Sequence, residues 1–484
     1  MTQVYPAELP APGEMTTIHS CYSAPMLDSG KTESTTLPAE PVGVLGVGVE
    51  GRATIEDLLG RGMYEVTALD RQPVEELPPG VTAVFGEGYD QGLGRFATVF
   101  RSPSVRPDHP ELERARNKGT RVTSALSFFL ERCPVPVAGV TGTVGKGTCS
   151  SMIAAVLRAA GFTVHLGGNI GRSPLEFLGE LRADDRVVLE VSSFQAMDLS
   201  AWPNVAVILK TTSEHLDWHL DTDEYRSAKA GLVRGQRPTD RVIHHADSPG
   251  AEWIAAQSPA NRLGYSIERE LENGLFLRDD RLVLREGGVE TALPVDFARV
   301  RLPGRFNLEN LAAGLLAGRA LGAWGPDAWS AAETFESLPH RLELVCEANR
   351  VRYYNDSYAT RPEAAIAAIN SFGGPLALVM GGSEKNADFG DLARAMAGHQ
   401  GIVHVSLIGA TAGRLAAAFA SAGIDRFRVE TYPDLEPAVV AAASALGQGP
   451  GTVLLAPACA SFGLFQNYKV RGERFRNVAR KLCH

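Results

Sequence analysis

The chain lacks most of the features that mark membrane, secreted or nucleic-acid-binding proteins. None of its apolar runs approaches the ~18 residues of a membrane-spanning helix, and its N-terminus has no apolar segment like that of a secretory signal. The formal net charge is −9, whereas the phosphates of nucleic acids favour a basic protein surface. The sequence therefore predicts a cytoplasmic protein with no membrane and no nucleic-acid partner.

Cysteine is also scarce, and its positions show no pattern. The sequence has six cysteines: Cys21, Cys133, Cys149, Cys346, Cys459 and Cys483. They lack the close spacing of a zinc site or of a small disulfide framework, which predicts a set of reduced thiols.

No internal repeat of solenoid length is present in the sequence. Residues 1–40 are rich in Pro, Ser, Thr and Glu, and are predicted to form a disordered extension.

What the sequence does contain is a repeated alternation of short apolar strands and helical segments. Its 484 residues suggest about three domains at ~150 residues each. We predict an α/β protein of three successive blocks, residues 41–134, 135–337 and 338–484, with mostly parallel sheets. Ligands of such sheets collect at the carboxyl ends of the strands.

The first block opens with an apolar strand followed by three spaced glycines, Gly46, Gly48 and Gly51. A second strand ends at Asp70, 19 positions after the last of them, close to where a dinucleotide fold places the acid that binds ribose. A plain βαβ turn with structural glycines would give the same motif. If the motif binds a dinucleotide, a nicotinamide-dependent oxidoreductase is one alternative function.

The second block opens with the most informative stretch, residues 139–148, which join an apolar strand to a helix. Gly142 and Gly145 allow a tight turn whose N–H groups point at phosphate oxygens, and Lys146 can neutralise them. Gly147 stands where the usual pattern has a hydroxyl, and Thr148 follows one place later. The stretch predicts nucleotide phosphate binding; the alternative is an ordinary strand–turn–helix junction.

Two further residues of this block could hold a metal. Glu190 ends a buried strand, and His215 lies just past the next one, so both fall at the carboxyl edge that carries the phosphate loop. A carboxylate oxygen suits Mg²⁺, whereas histidine is a less usual ligand of that ion and is more often structural. Lys229 sits in a helical segment, where a solvated lysine is the default expectation.

Taken in order along the chain, these pieces and several others resemble the Mur ligase family over about residues 42–482. The resemblance is carried by the phosphate loop and by Gly167–Gly171, Leu189–Gln195, Glu214–Asp217, Tyr225–Lys229, Pro303–Asn307, Leu338–Arg341, Asn355–Ser357, Gly381–Lys385 and Pro457–Ser461. It implies an ATP-dependent amide ligase of peptidoglycan precursor synthesis. The implied domains are a Rossmann-like N-terminal domain (41–134), a central ATPase domain of P-loop type with a mostly parallel sheet (135–337), and a Rossmann-like C-terminal domain (338–484). The implied cofactors are ATP and Mg²⁺, the implied substrates are UDP-N-acetylmuramoyl-L-alanine and glutamate, and a monomer is expected.

The resemblance also implies roles for individual residues. Those implied to be catalytic are Lys146, Glu190, His215 and Lys229, and Lys229 matches a family lysine that is carbamylated. Those implied to bind ATP are Gly142, Thr143, Gly145, Lys146, Gly147, Thr148, Asn307, Arg341 and Asp356. Those implied to bind the UDP-sugar are Gly46, Gly48, Gly51, Asp70, Arg71, Asn169, Ser192 and Gln195. The implied metal ligands are Thr148, Glu190, His215 and, if carbamylated, Lys229. Those implied to bind the amino acid are Thr360, Arg361, Lys385, Ser461 and Tyr468.

Some residues depart from the family pattern. Tyr358 stands where the family usually has Lys, and Arg361 where it has Asn, so the resemblance implies D-glutamate but leaves L-glutamate open. Gly147 is shared with folylpolyglutamate synthases, which makes a ligase of that kind another alternative. An inactive homologue that acts as a binding protein is the last.

Overall fold

The computed structural model describes residues 37–212, 218–383 and 387–484. The chain folds into two compact units. Of the described residues, the first unit comprises those up to Asp296 together with Glu309–Glu333, and the second comprises those in Phe297–Leu308 and Thr334–His484. The described residues form an α/β protein with three sheets, in which most strands are parallel.

The first sheet belongs to the first unit and has five parallel strands in the order β3-β2-β1-β4-β5. The order reverses between β1 and β4, which opens a crevice at their carboxyl ends. Ala39 and Glu40, which were predicted to be disordered, hydrogen-bond to this region through Thr98 and Tyr64. The elements are β1 Val42–Leu45, α1 Val49–Gly60, β2 Val66–Asp70, β3 Thr82–Phe85, β4 Thr98–Arg101, α2 Pro110–Asn117, β5 Arg121–Thr123 and α3 Ala125–Arg132.

The central sheet, also in the first unit, has nine strands in the order β14-β13-β12-β11-β10-β9-β6-β8-β7. The strands from β6 to β12 are parallel, and two antiparallel strands extend one edge. The elements are β6 Val137–Thr141, α4 Lys146–Ala159, β7 Val164–Gly168, α5 Pro174–Phe177, β8 Arg186–Glu190, α6 Ser193–Ala196, β9 Val205–Ile208, α7 Thr222–Ala230, β10 Arg241–His245, α8 Pro249–Ala255, β11 Asn261–Ser266, β12 Gly274–Arg278, β13 Arg281–Glu286, β14 Val289–Ala292, α9 Arg305–Ala320 and α10 Pro326–Glu333.

The third sheet lies in the second unit and has the order β15-β16-β20-β17-β18-β19, with only the β15–β16 pair antiparallel. Its central strands are buried on both faces, as expected for a parallel sheet covered by helices. The elements are β15 Glu343–Ala348, β16 Val351–Asn355, α11 Pro362–Ile369, β17 Leu376–Gly381, α12 Gly390–Gly398, β18 Ile402–Ile408, α13 Ala412–Ser421, β19 Arg428–Thr431, α14 Leu435–Ala445, β20 Gly451–Leu455 and α15 Tyr468–Cys483.

The prediction that all cysteines are reduced thiols is wrong for one pair. Cys346 on β15 and Cys483 at the end of α15 form a disulfide, with their Cα atoms 6.6 Å apart. The two positions are 137 residues apart, so their meeting depends on the packing of α15 against β15. Cys133, Cys149 and Cys459 are free and buried, and Cys21 lies outside the described residues.

Candidate active site

The predicted phosphate loop connects β6 to α4 at the centre of the nine-stranded sheet. Gly142 and Gly145 have φ values of 152° and 87°, and a Cβ at Gly145 would lie 2.7 Å from Oδ1 of Asn310. Gly145 is also the N-cap of α4, and as a glycine it has no side chain to cap the first N–H groups of that helix. The first N–H groups of α4 are therefore directed into the loop, as in anion-binding helix termini.

The remaining residues of the loop hold its shape. Lys146 donates from Nζ to the carbonyl oxygens of Gly142 and Thr143, each at 3.0 Å. The hydroxyl of Thr143 accepts from the N–H of Thr212 at 3.0 Å, which fixes the loop to the carboxyl end of β9. Gly147 is buried in the first turn of α4, and the half-buried Thr148 follows it.

Glu190, the predicted metal ligand, is 2% exposed at the carboxyl end of β8 and pairs in register with Val140, two residues before Gly142. Its Oε1 accepts from Nδ2 of Asn169 at 2.7 Å. Its other oxygen, Oε2, is buried and accepts no hydrogen bond from any described residue. A buried carboxylate oxygen without a partner is costly, and a bound divalent cation would satisfy it.

Lys229 is not the solvated helix lysine of the default expectation, because it is only 1% exposed. Its Nζ donates to the carbonyl oxygen of Gly142 at 2.9 Å and to the hydroxyl of Thr141 at 3.4 Å. It also lies 4.5 Å from the centre of the Tyr225 ring. Helix α7 thus delivers this side chain to the base of the phosphate loop.

Two predicted residues have no described position. His215 and Lys385 both lie outside the described residues, so the metal and amino-acid sets are seen only in part. Within the described ranges, no group of three or more His, Cys, Asp or Glu side chains could hold a metal ion. The predicted metal set draws instead on Thr148, Glu190 and Lys229 together with His215.

The first glycine motif forms the turn between β1 and α1. A Cβ at Gly51 would lie 2.2 Å from the carbonyl oxygen of Gly46, so only glycine permits this close approach of the helix to the turn. Around Gly48, by contrast, a Cβ would meet nothing within 4 Å. Asp70 accepts at Oδ2 from the N–H of Val47 at 2.7 Å, so this carboxylate orders the turn itself.

An open cleft of about 430 Å³ lies where β2 and β3 end. It is lined by Arg71, which the sequence predicted, and by Gly86, Glu87, Gly88 and Tyr89, which it did not. Burial and the nearby carboxylates of Asp90 and Asp70 raise the pKa of Tyr89, against the opposing charge of Arg71. The Gly-Glu-Gly-Tyr sequence directly after β3 is the signal that could have found these residues.

Ser192 and Gln195 form a reciprocal cap at the start of α6: the Ser192 hydroxyl accepts from the N–H of Gln195 at 3.2 Å, and Oε1 of Gln195 accepts from the N–H of Ser192 at 2.9 Å. Gln195 also donates from Nε2 to Glu50 of the first glycine motif. Burial raises the pKa of Glu50, with the Gln195 hydrogen bond and Arg101 opposing it. This contact joins the first glycine turn to the central sheet within the first unit.

In the second unit, the loop after Pro339 is held in an uncommon backbone conformation. His340 and Leu342 both have positive φ values, 65° and 44°. Such strain in non-glycine residues clusters at functional sites. The loop aims the guanidinium of Arg341 over the ring of Tyr358 at 3.9 Å, so the tyrosine that replaces the family lysine is covered by a cation.

Asp356 lies beside that loop and is buried. Its Oδ1 accepts from the N–H of Leu342 at 3.1 Å. Burial raises the pKa of Asp356 to about 7, although the Leu342 hydrogen bond and the charge of Arg341 oppose the shift. Asn307, also predicted to bind ATP, is 3% exposed near the start of α9 and donates from Nδ2 to the carbonyl oxygen of Pro303 at 2.6 Å.

The described members of the predicted amino-acid pocket lie on loops at the carboxyl edge of the third sheet and at the start of α15. Ser461 is buried after β20, and the half-buried Thr360 and exposed Arg361 precede α11. The ring of Tyr468 packs edge-on against that of Tyr358, with centroids 5.1 Å apart.

Comparison with known proteins identifies this arrangement. The family models for the "Mur ligase middle domain" and the "Mur ligase, glutamate ligase domain" match residues 140–318 and 340–459. A curated protein of Symbiobacterium thermophilum named UDP-N-acetylmuramoylalanine–D-glutamate ligase is 35% identical over 454 residues, which cover 92% of this chain and 98% of that protein. The chain belongs to the Mur ligase family.

Solved structures agree with this Mur ligase in fold. The MurF ligase of Thermotoga maritima in complex with ADP is 18% identical, with a TM-score of 0.58, over 91% of this chain and 95% of that chain. The UDP-N-acetylmuramate-alanine ligase of the same organism is 18% identical, with a TM-score of 0.55, over 91% and 99%. In the described part of this Mur ligase, no helix combines the length and apolar character needed to cross a membrane.

Sequence reasoning missed two other residues of this Mur ligase that the structure places at its candidate sites. Asn310 is 4% exposed on α9 and faces Gly145 of the phosphate loop. Arg471 is fully buried on α15 and hydrogen-bonds to the loops that carry Ser357 and Ala460. The three-residue spacing of Asn307 and Asn310 was a signal for the first. The sequence held no signal for the second, since arginines recur throughout α15.

Proposed function

We propose that this Mur ligase is an ATP-dependent, ADP-forming enzyme that joins D-glutamate to the alanine carboxylate of UDP-N-acetylmuramoyl-L-alanine. The observation that carries the proposal is the base of the phosphate loop. There, Lys146 and Lys229 converge on one carbonyl oxygen, in a sheet where Glu190 has a buried oxygen with no described partner. The substrates are proposed from the name of the curated relative, which this chain matches over nearly its whole length.

A carboxylate is a poor electrophile, so it must be activated before an amine can attack it. An oxygen of the alanine carboxylate attacks the γ-phosphorus of ATP, the bond to the β–γ bridging oxygen breaks, and ADP leaves. The amine of glutamate then attacks the carbonyl carbon of the acyl phosphate and loses a proton. The tetrahedral intermediate collapses to the amide as phosphate departs.

The residues of the chain contribute charge and position to these steps. The N–H groups of α4 and Lys146 would hold the triphosphate and offset its repulsion from the approaching carboxylate. Glu190, Thr148 and His215, with Lys229 if it is carbamylated, are proposed to hold Mg²⁺, which when bound neutralises charge on the transferring phosphoryl group. The oxygen of Glu190 without a described partner fits that role.

We assign the parts of the reaction to three domains. Residues 41–134 would hold the UDP-sugar, with the cleft at Arg71 and Tyr89 as its nucleoside end. Residues 135–337 would bind ATP, and residues 338–484 would bind the amino acid. Exclusion of water from the reacting groups would protect the acyl phosphate from hydrolysis. We expect a cytoplasmic monomer, since the proposed reaction needs ATP and no partner chain.

A second candidate is the same ligation with L-glutamate. It stays open because Tyr358 and Arg361, both beside the predicted amino-acid pocket, depart from the family pattern, and the ring of Tyr358 lies under the guanidinium of Arg341.

One assay tests both candidates. D-glutamate and L-glutamate are offered separately with ATP, Mg²⁺ and UDP-N-acetylmuramoyl-L-alanine, and the mass of the product is followed together with phosphate release. Product with D-glutamate alone supports the proposal, and product with L-glutamate alone supports the second candidate. ATP turnover that depends on neither amino acid would contradict both, and activity on a pteroate substrate instead would indicate a folylpolyglutamate-synthase-like ligase.

A further inference from the structure

Arg471 lies at the point where three loops of the second unit meet. It is 0% exposed on α15, whose N-terminus is capped by Asn467. Its Nη1 donates to the carbonyl oxygens of Cys459 and Ala460 at 3.1 and 3.3 Å. Its Nη2 and Nε donate to the carbonyl oxygen and the hydroxyl of Ser357 at 2.9 and 3.1 Å.

These partners follow the carboxyl ends of two strands that lie side by side. Ser357 follows β16, and Cys459 and Ala460 follow β20. A longer contact of 3.5 Å reaches the carbonyl oxygen of Gly381 at the end of β17, on the other side of β20. One planar guanidinium therefore sets the spacing of the loops that carry Thr360 and Ser461, the predicted contacts of the amino acid.

All of these partners are neutral. Among the described residues, no carboxylate pairs with Arg471, whereas its neighbours on the same helix, Arg474 and Arg476, pair with Asp434 and Glu343. Burial lowers the pKa of Arg471 to about 10, so the side chain stays charged at neutral pH. A buried charge without a counter-charge is costly and acts over a longer range than an exposed one.

We infer that Arg471 is a positioning residue that sets the preference of the amino-acid pocket for an anionic side chain. It spaces the Thr360 and Ser461 loops through its hydrogen bonds. Its charge, with which no carboxylate of the described residues pairs, favours a dicarboxylate over a neutral amino acid of the same shape. The inference rests on the proposed function, because it assumes that glutamate is the incoming amine.

The experiment compares glutamate with glutamine, which has the same shape without the side-chain charge. Both are offered in competition to the wild type, Arg471→Met, Arg471→Lys and the control Arg474→Met, whose exposed arginine pairs with Asp434 at the surface. The two products are separated by mass, and KM values for glutamate, ATP and the UDP-sugar are measured separately.

For Arg471→Met, we expect the preference for glutamate over glutamine to fall by about tenfold or more, since a charged interaction in a buried site is lost. The KM for glutamate should rise while the KM values for ATP and the UDP-sugar stay unchanged. Arg471→Lys should keep most of the preference but lose turnover, because it retains the charge without the planar fork. Arg474→Met should behave like the wild type.

An equal loss with both amino acids in Arg471→Met, with all KM values unchanged, would overturn the inference, since it would mean that the residue only supports the fold. If Arg471→Met does not fold, Arg471→Lys decides: loss of the preference in that variant also overturns it. A wild type that forms neither product would refute the proposed function itself, and the inference with it.

Discussion

Lys146 and Lys229 donate to the same acceptor, the carbonyl oxygen of Gly142, at 3.0 and 2.9 Å. One lysine comes from the helix that follows the phosphate loop, and the other comes from α7, more than eighty positions further along the chain. The Nζ atoms of both side chains therefore lie at the base of the loop where a triphosphate would bind. Their environments differ, however, because Lys229 is buried and Lys146 is only half-buried.

For Lys146→Ala, we expect product formation to fall to background, because the loop loses the cation that would neutralise the β- and γ-phosphates. Phosphate release and product mass measure this. Val144→Ala, a change at the exposed tip of the same loop, should leave activity close to that of the wild type. Retained turnover in Lys146→Ala would remove the loop from the mechanism.

For Lys229→Ala, we expect loss of activity and partial rescue by short-chain carboxylic acids, because these would occupy the place of a carbamate. The buried contact of this lysine with the loop means that the rescuing acid must bind beside Gly142. Mass spectrometry of the native protein with added bicarbonate should detect the carbamate. Absence of both rescue and added mass would show that Lys229 acts as an ordinary lysine.

For Glu190→Gln, we expect the Mg²⁺ concentration required for half-maximal activity to rise by about tenfold to a hundredfold, because an anionic ligand becomes neutral. Thermal stability should not fall, since the change removes the buried charge of an oxygen that has no described partner. The control is Glu180→Gln, which removes an exposed carboxylate paired with Arg172. An unchanged Mg²⁺ requirement in Glu190→Gln would exclude the residue as a ligand.

Asp356 should make the folded state less stable as the pH rises. Its pKa is raised to about 7 from an ordinary value of 3.8, so its contribution to stability is fully present below about pH 4. The contribution declines as the unfolded chain ionises and is lost once the pH has risen through about 7. Relative to Asp356→Asn, the wild type should lose about 4 kcal/mol at most across this window.

Chemical denaturation of the two proteins across that range, in the absence of nucleotide, measures the difference. Asp391→Asn, an exposed change in the same unit, should follow the pH profile of the wild type. A difference between wild type and Asp356→Asn that does not change with pH would show that Asp356 titrates normally.

The disulfide between Cys346 and Cys483 should stabilise the second unit, since it closes a loop of 137 residues. Loop-closure entropy sets an upper limit of about 5 kcal/mol for this effect. We expect dithiothreitol to lower the denaturation midpoint of the wild type but not that of a Cys346→Ser/Cys483→Ser double variant. If the reductant lowers both equally, the bond does not stabilise the fold.

Much of the architecture was accessible from the local pattern of the sequence. The Ala-rich segment 390–398 predicts a helix, the apolar run at 376–380 predicts a strand, and the alternation on both sides of a polar turn in 275–284 predicts a hairpin. Helix α12 and strand β17 agree with the first two within one residue, and β12 and β13 form the hairpin. These segments were predictable because apolar periodicity and flanking turn residues act over a few positions. The default expectation that Lys229 is a solvated helix lysine was wrong. The burial of a side chain on a helix depends on the parts of the tertiary structure that pack against that helix, and these are distant in sequence.

The sequence by itself determined the α/β class and the tight turn of the phosphate loop, because glycine at Gly142 and Gly145 allows a backbone that other residues resist. Only the tertiary structure decided that Lys229 reaches that loop, that Arg471 ties three strand ends together, and that Cys346 meets Cys483. The reason is physical: these contacts arise from the order and register of strands and from helix packing, which join residues far apart in the chain.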